Sequence, residues 1–181
     1  GIRELAIKME IPFFDMRERV GLFRQFMIRT TTTGECMLVL AFFENDQDQI
    51  KPFLDAIMAD FGEHLTSLTT LSYCINVKIN EYMMDLEMNL FAGTSTIKET
   101  LGHVSFHIGP KSFFQTNTRQ GKRLYDITAE YAGLTGNENV YDLYTGIGSI
   151  GQYVAKDAGA VVGIEEIAAA IEDAKINAEM D

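Results

Sequence analysis

The chain has 181 residues, 46% of them apolar and 23% charged, which suits one ordinary domain or two small ones around a real hydrophobic core. No apolar run approaches the roughly 18 residues of a membrane span. No basic stretch leads into an apolar one at the start, so a cytoplasmic location is expected.

The net charge of −11 is unevenly spread. Residues 1–30 carry six Lys/Arg against four Asp/Glu, residues 31–110 carry three against eleven, and residues 111–181 carry six against eleven. An acidic chain is a poor ligand for nucleic acid, because neutralising phosphate needs cations. Any RNA contact must therefore use a local basic face or parts outside these residues. The candidate is the cluster Arg17, Arg19, Arg24 and Arg29, with Arg24 and Arg29 on one expected hairpin; a solvated face is the blander alternative. Cys36 and Cys74 stand far apart without a C-x-x-C pattern, which suits a reducing compartment and argues against disulfides or a zinc site.

In chain order, residues 22–31 and 36–43 are β-rich runs joined by Thr-Thr-Gly, the pattern of a hairpin. "DQDQIKPFLDAIMADFGEH" predicts a helix capped by Asp48, with Pro52 in its first turn, Phe53, Ile57 and Phe61 on one face, and Gly62 as its stop. "LTTLSYCINVKI" and "VSFHI" read as two further strands, the latter ended by Gly109 and Pro110. Met83, Met84 and Met88 suit core filling, and His103 and His107 lack a third ligand for a metal. Residues 1–110 are thus expected to form an α+β domain on an antiparallel sheet.

After Pro110 the pattern changes. Asn117 or Thr118 can cap a helix reaching Tyr131, with Leu124, Ile127 and Tyr131 on one stripe and Gly133 closing it. A strand at 140–144, a glycine turn, a helix at 150–156, a strand at 160–164 and a helix at 167–180 complete a β-α-β-α series. That series is the first half of a doubly wound, Rossmann-like parallel sheet. Two such strands leave interior-type edges without neighbours, so self-association through residues 140–181 is expected.

The turn "DLYTGIGSIG" carries glycines at 146, 148 and 151, with Glu165 about twenty positions on, the spacing of a dinucleotide-binding fingerprint. A dinucleotide site is one reading. The carboxylate of Asp142, four residues ahead of Gly146, favours another: an S-adenosylmethionine site, in which that acid orders the loop and Glu165 meets the ribose. Both readings put a cofactor at the carboxyl ends of the strands, so the fold alone does not choose.

"SFFQTN" at 112–117 adds two aromatic rings beside two amides, though a loop that only tucks its rings into the core, Phe113 among them, would look similar. Taken with "VYDLYTGIG" and "VVGIE", this stretch resembles the RNA uracil-5-methyltransferase family. The matching positions are Phe114, Gln115 and Asn117; Asp142, Leu143, Tyr144, Gly146 and Gly148; Gly163 and Glu165; and Asn177 with Ala178. The hairpin "GLFRQFMIRTTTTGECMLVL" and the run 75–117 extend the likeness over nearly the whole chain.

The resemblance implies an S-adenosylmethionine-dependent enzyme that methylates C5 of a uridine in ribosomal or transfer RNA. Its cofactor contacts would come from Gln115, Asp142, Tyr144, Gly146, Gly148, Ser149 and Glu165, with Ser149 where some members carry Asn. It also implies a division into a central domain at 1–110 and the first part of the methyltransferase domain at 111–181. The resemblance further implies that the family's cysteine nucleophile and its base lie beyond residue 181; Cys36 and Cys74 sit in strands where a buried, inert thiol is expected. A chain of this extent would be inactive alone. A nicotinamide-dependent oxidoreductase piece and a non-catalytic RNA-binding module are the other readings.

Overall fold

A computed structural model describes residues 1–64 and 67–180, with backbone only at 61–64. The chain divides into two compact units. The first comprises Gly1–Thr30 and Gly34–Thr96, the second Thr31–Thr33 and Ile97–Asp181.

The first unit contains α1 (Ile2–Lys8), β1 (Phe23–Thr30), β2 (Cys36–Phe42), α2 (Gln47–His64), β3 (Leu68–Ile75) and β4 (Asn89–Gly93). The strands form one sheet in the order β1-β2-β3-β4. Every residue of β2 is buried, as expected of a central strand whose sequence is one continuous apolar run. On one face Leu38, Leu40, Phe42 and Leu71 meet Ile50, Phe53, Leu54 and Ile57 of α2, with Ile2 and Ala6 of α1 closing the cluster. On the other, Met83 and Met88 fill against Ala41 and Cys74.

The expected antiparallel sheet is in fact mixed. β1–β2 and β3–β4 are antiparallel, but β2 and β3 run parallel, because α2 lies between them and carries the chain back to the starting end. The cap of α2 is Asp46, not Asp48: its Oδ1 accepts from the backbone N–H groups of Asp48 and Gln49 at 3.1 and 3.3 Å. Pro52 therefore falls in the second turn rather than the first, and the helix runs past Gly62 to His64. The side chain of Phe61 lies outside the described residues. Helix α1 and strand β4 had no reading in the sequence.

The second unit contains β5 (Ile97–Leu101), β6 (Val104–Ile108), α3 (Thr118–Ala132), β7 (Asn139–Leu143), α4 (Ser149–Ala155), β8 (Ala160–Ile164) and α5 (Ala168–Ala178). β5 and β6 form an antiparallel hairpin; β7 and β8 pair in parallel from Asn139↔Ala160 to Leu143↔Ile164. The sequence pattern puts the boundary at 110, whereas the β5–β6 hairpin groups with the later elements: α3 packs on β5, and α4 and α5 pack on β6.

Residues 31–33 join this unit through Glu99, a carboxylate only 1% exposed. It accepts from the Thr32 N–H at 3.0 Å, the Thr32 hydroxyl, the Thr118 hydroxyl at 2.8 Å and the Thr100 N–H at 2.9 Å. A buried charge is tolerable only when its lone pairs are filled in this way.

Asn117 caps α3, its Oδ1 accepting from the Gln120 N–H at 3.1 Å, and Gly133 ends it at φ 57°. The stripe expected to face inward does not: Leu124 and Tyr131 are 50% and 85% exposed. Gly121 and Tyr125 face the core instead, and a Cβ at 121 would crowd the Gln115 side chain at 3.0 Å.

The packing can be tested in each unit. Phe53 is fully buried and meets the rings of Phe23 and Phe42 at 5.4 and 6.4 Å. Phe53→Ala should cost about 3–5 kcal/mol in chemical denaturation; a loss below about 1 kcal/mol would mean that α2 is not seated on the sheet. In the second unit, Tyr141, Leu143, Val162 and Ile164 remain 46–65% exposed. Their register pairs Tyr141 with Val162 and Leu143 with Ile164, making one continuous apolar face. Such a face seeks cover, so the 181-residue chain should self-associate through it. Sedimentation over a concentration series checks this, and Leu143→Lys should shift the population toward monomer.

Candidate cofactor site

Strand β7 ends in a loop held by one carboxylate. Asp142 Oδ2 accepts from the Thr145 hydroxyl at 2.6 Å and from the Gly151 N–H at 2.9 Å. It thereby fixes both limbs of the loop to the strand that feeds it. Gly148 has φ 83° and caps α4; a Cβ there would meet the Gln152 amide at 2.6 Å. Gly151 serves a different need. A Cβ there would lie 3.0 Å from the Asp142 carboxylate and 3.2 Å from Val161, so the third glycine permits close packing of helix on strand. Tyr144, which is not a glycine, sits at φ 60° with its ring 86% exposed. Backbone strain of this kind collects at functional sites.

Glu165 closes β8 opposite the loop. Its Oε2 accepts from the Gly146 N–H at 2.9 Å, and its Oε1 from the N–H groups of Glu166 and Ile167 at 2.9 and 3.0 Å. The donors at Ile167 and Gly146 hold its carboxyl below the ordinary value of 4.5. The nearby Gly163 is constrained too, since a Cβ on it would strike Thr145 at 2.9 Å.

From below, Asn177 of α5 is fully buried. It accepts from the His107 N–H at 2.7 Å and donates to the carbonyls of His107 and Ile147 at 3.3 and 3.4 Å. One side chain thus joins β6, α5 and the glycine loop.

The 112–117 segment is anchored at three points. The buried Ser112 hydroxyl accepts from the Gly109 N–H and donates to Asp173 of α5, both at 2.8 Å. Phe114 packs on Phe106 with ring centroids 5.5 Å apart. Asn117 caps α3. The roles of the two rings are therefore the reverse of the sequence reading: Phe114 is tucked in, and Phe113 is 75% exposed. Geometry explains it, because the anchored Ser112 and Phe114 stand two apart and place Phe113 on the opposite side of an extended segment.

A cavity of about 990 Å³ is lined by Thr145, Gly148, Gln152, Gly163, Glu165 and Ala174 among others, at the upper end of the range for small-molecule sites. The Gln152 Oε1 is buried with no hydrogen-bond partner among the described residues. Of the seven cofactor candidates, Asp142, Gly146 and Glu165 share one hydrogen-bonded loop, and Gly148 and Glu165 line the cavity. Ser149 begins α4, and its hydroxyl is bonded at 2.8 Å to the buried Tyr125, whose phenol pKa is raised chiefly by that burial. Gln115 rests on Gly121 and is not part of the cavity lining. Sequence reading missed Tyr125, Thr145, Gln152 and the Ser112–Asp173 pair, none of which carries a motif of its own.

The basic cluster divides. Arg24 lies over the Phe14 ring at 4.5 Å and donates to the carbonyls of Asn76, Lys78 and Asn80 at 2.6, 2.7 and 3.2 Å. Its guanidinium is thus a brace for the 76–80 loop, a role that the sequence reading did not give it. Arg29 is half-buried, and burial lowers its pKa. Arg17 and Arg19 are exposed. Cys36 and Cys74 are buried and form no disulfide, and burial pushes the Cys36 thiol up. Among the described residues no helix is long and apolar enough to cross a membrane.

No protein-family model matches the chain. Over 92% of its length it is 48% identical to a protein of Porphyromonas gingivalis described as an uncharacterized RNA methyltransferase, of which it spans 35%. Over its full length it is 40% identical to a protein of Bacteroides thetaiotaomicron described in the same words, of which it spans 40%. The chain therefore covers little more than a third of these relatives. Among solved structures it matches the Pyrococcus abyssi tRNA (uracil-54, C5)-methyltransferase in complex with S-adenosyl-L-homocysteine. That match has a TM-score of 0.75 and 24% identity, over 99% of this chain and 42% of that one. It also matches the tRNA m1G37 methyltransferase of M. jannaschii, with a TM-score of 0.52 and 16% identity, over 99% of this chain and 49% of that one. The mixed α/β fold is thus the one found in part of these methyltransferases.

The depressed Glu165 carboxyl gives a pH test. A carboxylate stabilised in the folded state keeps its hydrogen bonds as pH falls through its ordinary value and loses them only as pH passes its lowered one. The Gly146 amide resonance should therefore hold steady through pH 4.5 and move only below it. Movement centred at or above 4.5 would mean that Glu165 does not hold the loop.

Proposed function

We propose that this chain is the cofactor-site portion of an S-adenosylmethionine-dependent RNA methyltransferase acting on C5 of a uridine in ribosomal or transfer RNA. The observation that carries the cofactor choice is Asp142. A dinucleotide turn presents its N–H groups and helix end to a pyrophosphate. Here a carboxylate stands inside the loop, bonded to Thr145 and Gly151, where it would repel that anion. A cofactor without phosphate presents no such anion to Asp142.

The residues present fit such a group. Glu165 would accept from a ribose hydroxyl through Oε2, which keeps a lone pair beyond the Gly146 donor, whereas Oε1 already serves Glu166 and Ile167. Tyr144 offers an exposed aromatic face at the end of β7. Gly146 and Gly148 admit close approach of a ligand to the backbone. Gln115, Ser149 and the Gln152 carbonyl are the remaining polar contacts in reach of this reading. When bound, S-adenosylmethionine supplies a methyl group activated by its sulfonium.

Neither Cys36 nor Cys74 suits addition to C6 of uracil, since both thiols are buried and an addition of that kind needs an accessible thiolate. The nucleophile and the base are assigned to the part of the relatives' length that this chain does not span. The near full-length similarity to proteins described as RNA methyltransferases supports the RNA substrate. The likeness to the uracil-54 enzyme supports the C5 position. RNA contact is assigned to the exposed Arg17 and Arg19, with Arg29 secondary to them.

Calorimetry of the full-length parent should detect S-adenosyl-L-homocysteine and not NAD. Glu165→Ala should weaken the former by about 1.5–3 kcal/mol, the range for hydrogen bonds to a charged group. NAD binding in place of the homocysteine adduct would overturn the cofactor reading. An unchanged dissociation constant in the variant would remove Glu165 from the site.

A further inference from the structure

The first unit carries a second, polar hollow that the cofactor reading does not use. It has a volume of about 480 Å³ and is lined by Asn45, Gln47, Tyr73, Ile75, Glu87 and Asn89. Tyr73 and Asn89 sit on strands and Gln47 on the first turn of α2, while Asn45 and Glu87 lie in connecting segments, and Asn45, Gln47 and Glu87 are exposed at the rim. Tyr73 of β3 is braced edge-on against Phe42 with ring centroids 6.2 Å apart, and Asn89 of β4 is its cross-strand partner. Asn45 and Gln47 flank the cap of α2, where the Gln47 amide donates to the Asn45 side-chain oxygen and reaches the Tyr73 hydroxyl at 3.5 Å. Hydrogen-bonding capacity is left over: neither the Glu87 carboxylate nor the Asn89 side-chain amide has a hydrogen bond or ion pair among the described residues.

We propose that this hollow is a nucleobase site that takes guanine from a single-stranded stretch of the RNA. The inference rests on the RNA reading for its ligand class, but its choice of base comes from the lining. No Lys or Arg lines the hollow while Glu87 does, so the site repels phosphate and suits an uncharged ring with its backbone outside. Single-stranded bases are read in this way, by their Watson–Crick edges in pockets with aromatic walls.

A carboxylate only accepts, and its two oxygens match two adjacent donors. Of the four bases only guanine presents such a pair, N1–H and N2–H, with O6 beside it as the acceptor for an amide N–H. Uracil offers one N–H flanked by two carbonyls, which would face the carboxylate with like partial charge. Adenine and cytosine each offer one amino group beside an acceptor. Glu87 would therefore accept from N1 and N2 of guanine, and the Asn89 or Asn45 amide would donate to O6.

The test is an NMR titration of the ¹⁵N-labelled chain with GMP, AMP, CMP and UMP, in which the phosphate is common and only the base varies. GMP should move the side-chain amide signals of Asn45, Gln47 and Asn89 and bind at least about tenfold more tightly than UMP. Glu87→Gln should remove most of that preference, and Tyr73→Phe, which keeps the aromatic wall, should leave it in place. Both variants should keep the amide spectrum of the folded chain, and the exposed control Glu81→Gln should change nothing.

Equal response to all four nucleotides, no response at these amides, or an unchanged preference in Glu87→Gln would each overturn the proposal. Calorimetry with S-adenosyl-L-homocysteine separates the two readings. If that ligand binds and GMP does not select these amides, the guanine site falls and the methyltransferase reading stands. If GMP selects them and that ligand fails to bind, the reverse holds.

Discussion

The glycine loop of the second unit depends on the Asp142 carboxylate, which sits where a strand ends and the loop begins. A loop with residues at positive φ on 144, 146 and 148 is entropically costly to hold in one shape. Two charge-assisted hydrogen bonds to one oxygen, from Thr145 and Gly151, oppose that cost from both ends. Gly151 suits this contact because a Cβ there would crowd the acceptor it serves at 3.0 Å. The acid and the third glycine are thus matched to each other.

The rest of the unit supports that pair from outside. Glu165 pins the loop at Gly146, and Asn177 pins it at Ile147 while satisfying both backbone groups of His107. Ser112 ties the segment before α3 to Asp173 of the same helix as Asn177. Helix α5 thus acts through two polar side chains spaced four residues apart, on one face of one helix. Side chains held this way lose little further freedom when a ligand arrives, which is the advantage of a site built on fixed elements.

Much of this was legible in the sequence, and the parts that were not have physical causes. The glycine spacing, the acid ahead of it and the acid closing the next strand each impose a backbone or charge requirement that shows in one or two letters. β7, α4 and β8 came out within a residue of the reading for that reason. The parallel pairing of β2 with β3 left no local mark, since it depends on where α2 delivers the chain. Strand β4 is five residues long and ends at Gly93, whose missing Cβ makes room for the Thr69 carbonyl; a contact with a residue so distant in sequence has no local signature. Periodicity also misled at α3, where the inward face is made by a glycine and a tyrosine rather than by the aliphatic stripe.

The arginines show how charge and role part company. By sequence Arg24 is as good a phosphate ligand as Arg17, since both are cations near one expected hairpin. In the fold, three carbonyls of the 76–80 loop converge on Arg24, and the Phe14 ring covers its face. A loop that presents three acceptors to one point needs a planar donor with several N–H groups, which lysine cannot supply. Positive charge in an acidic chain is scarce, and here part of it is committed to folding. On the proposed RNA reading, recognition would then draw on uncharged groups as well, and the amides and the tyrosine that line the polar hollow of the first unit are of that kind.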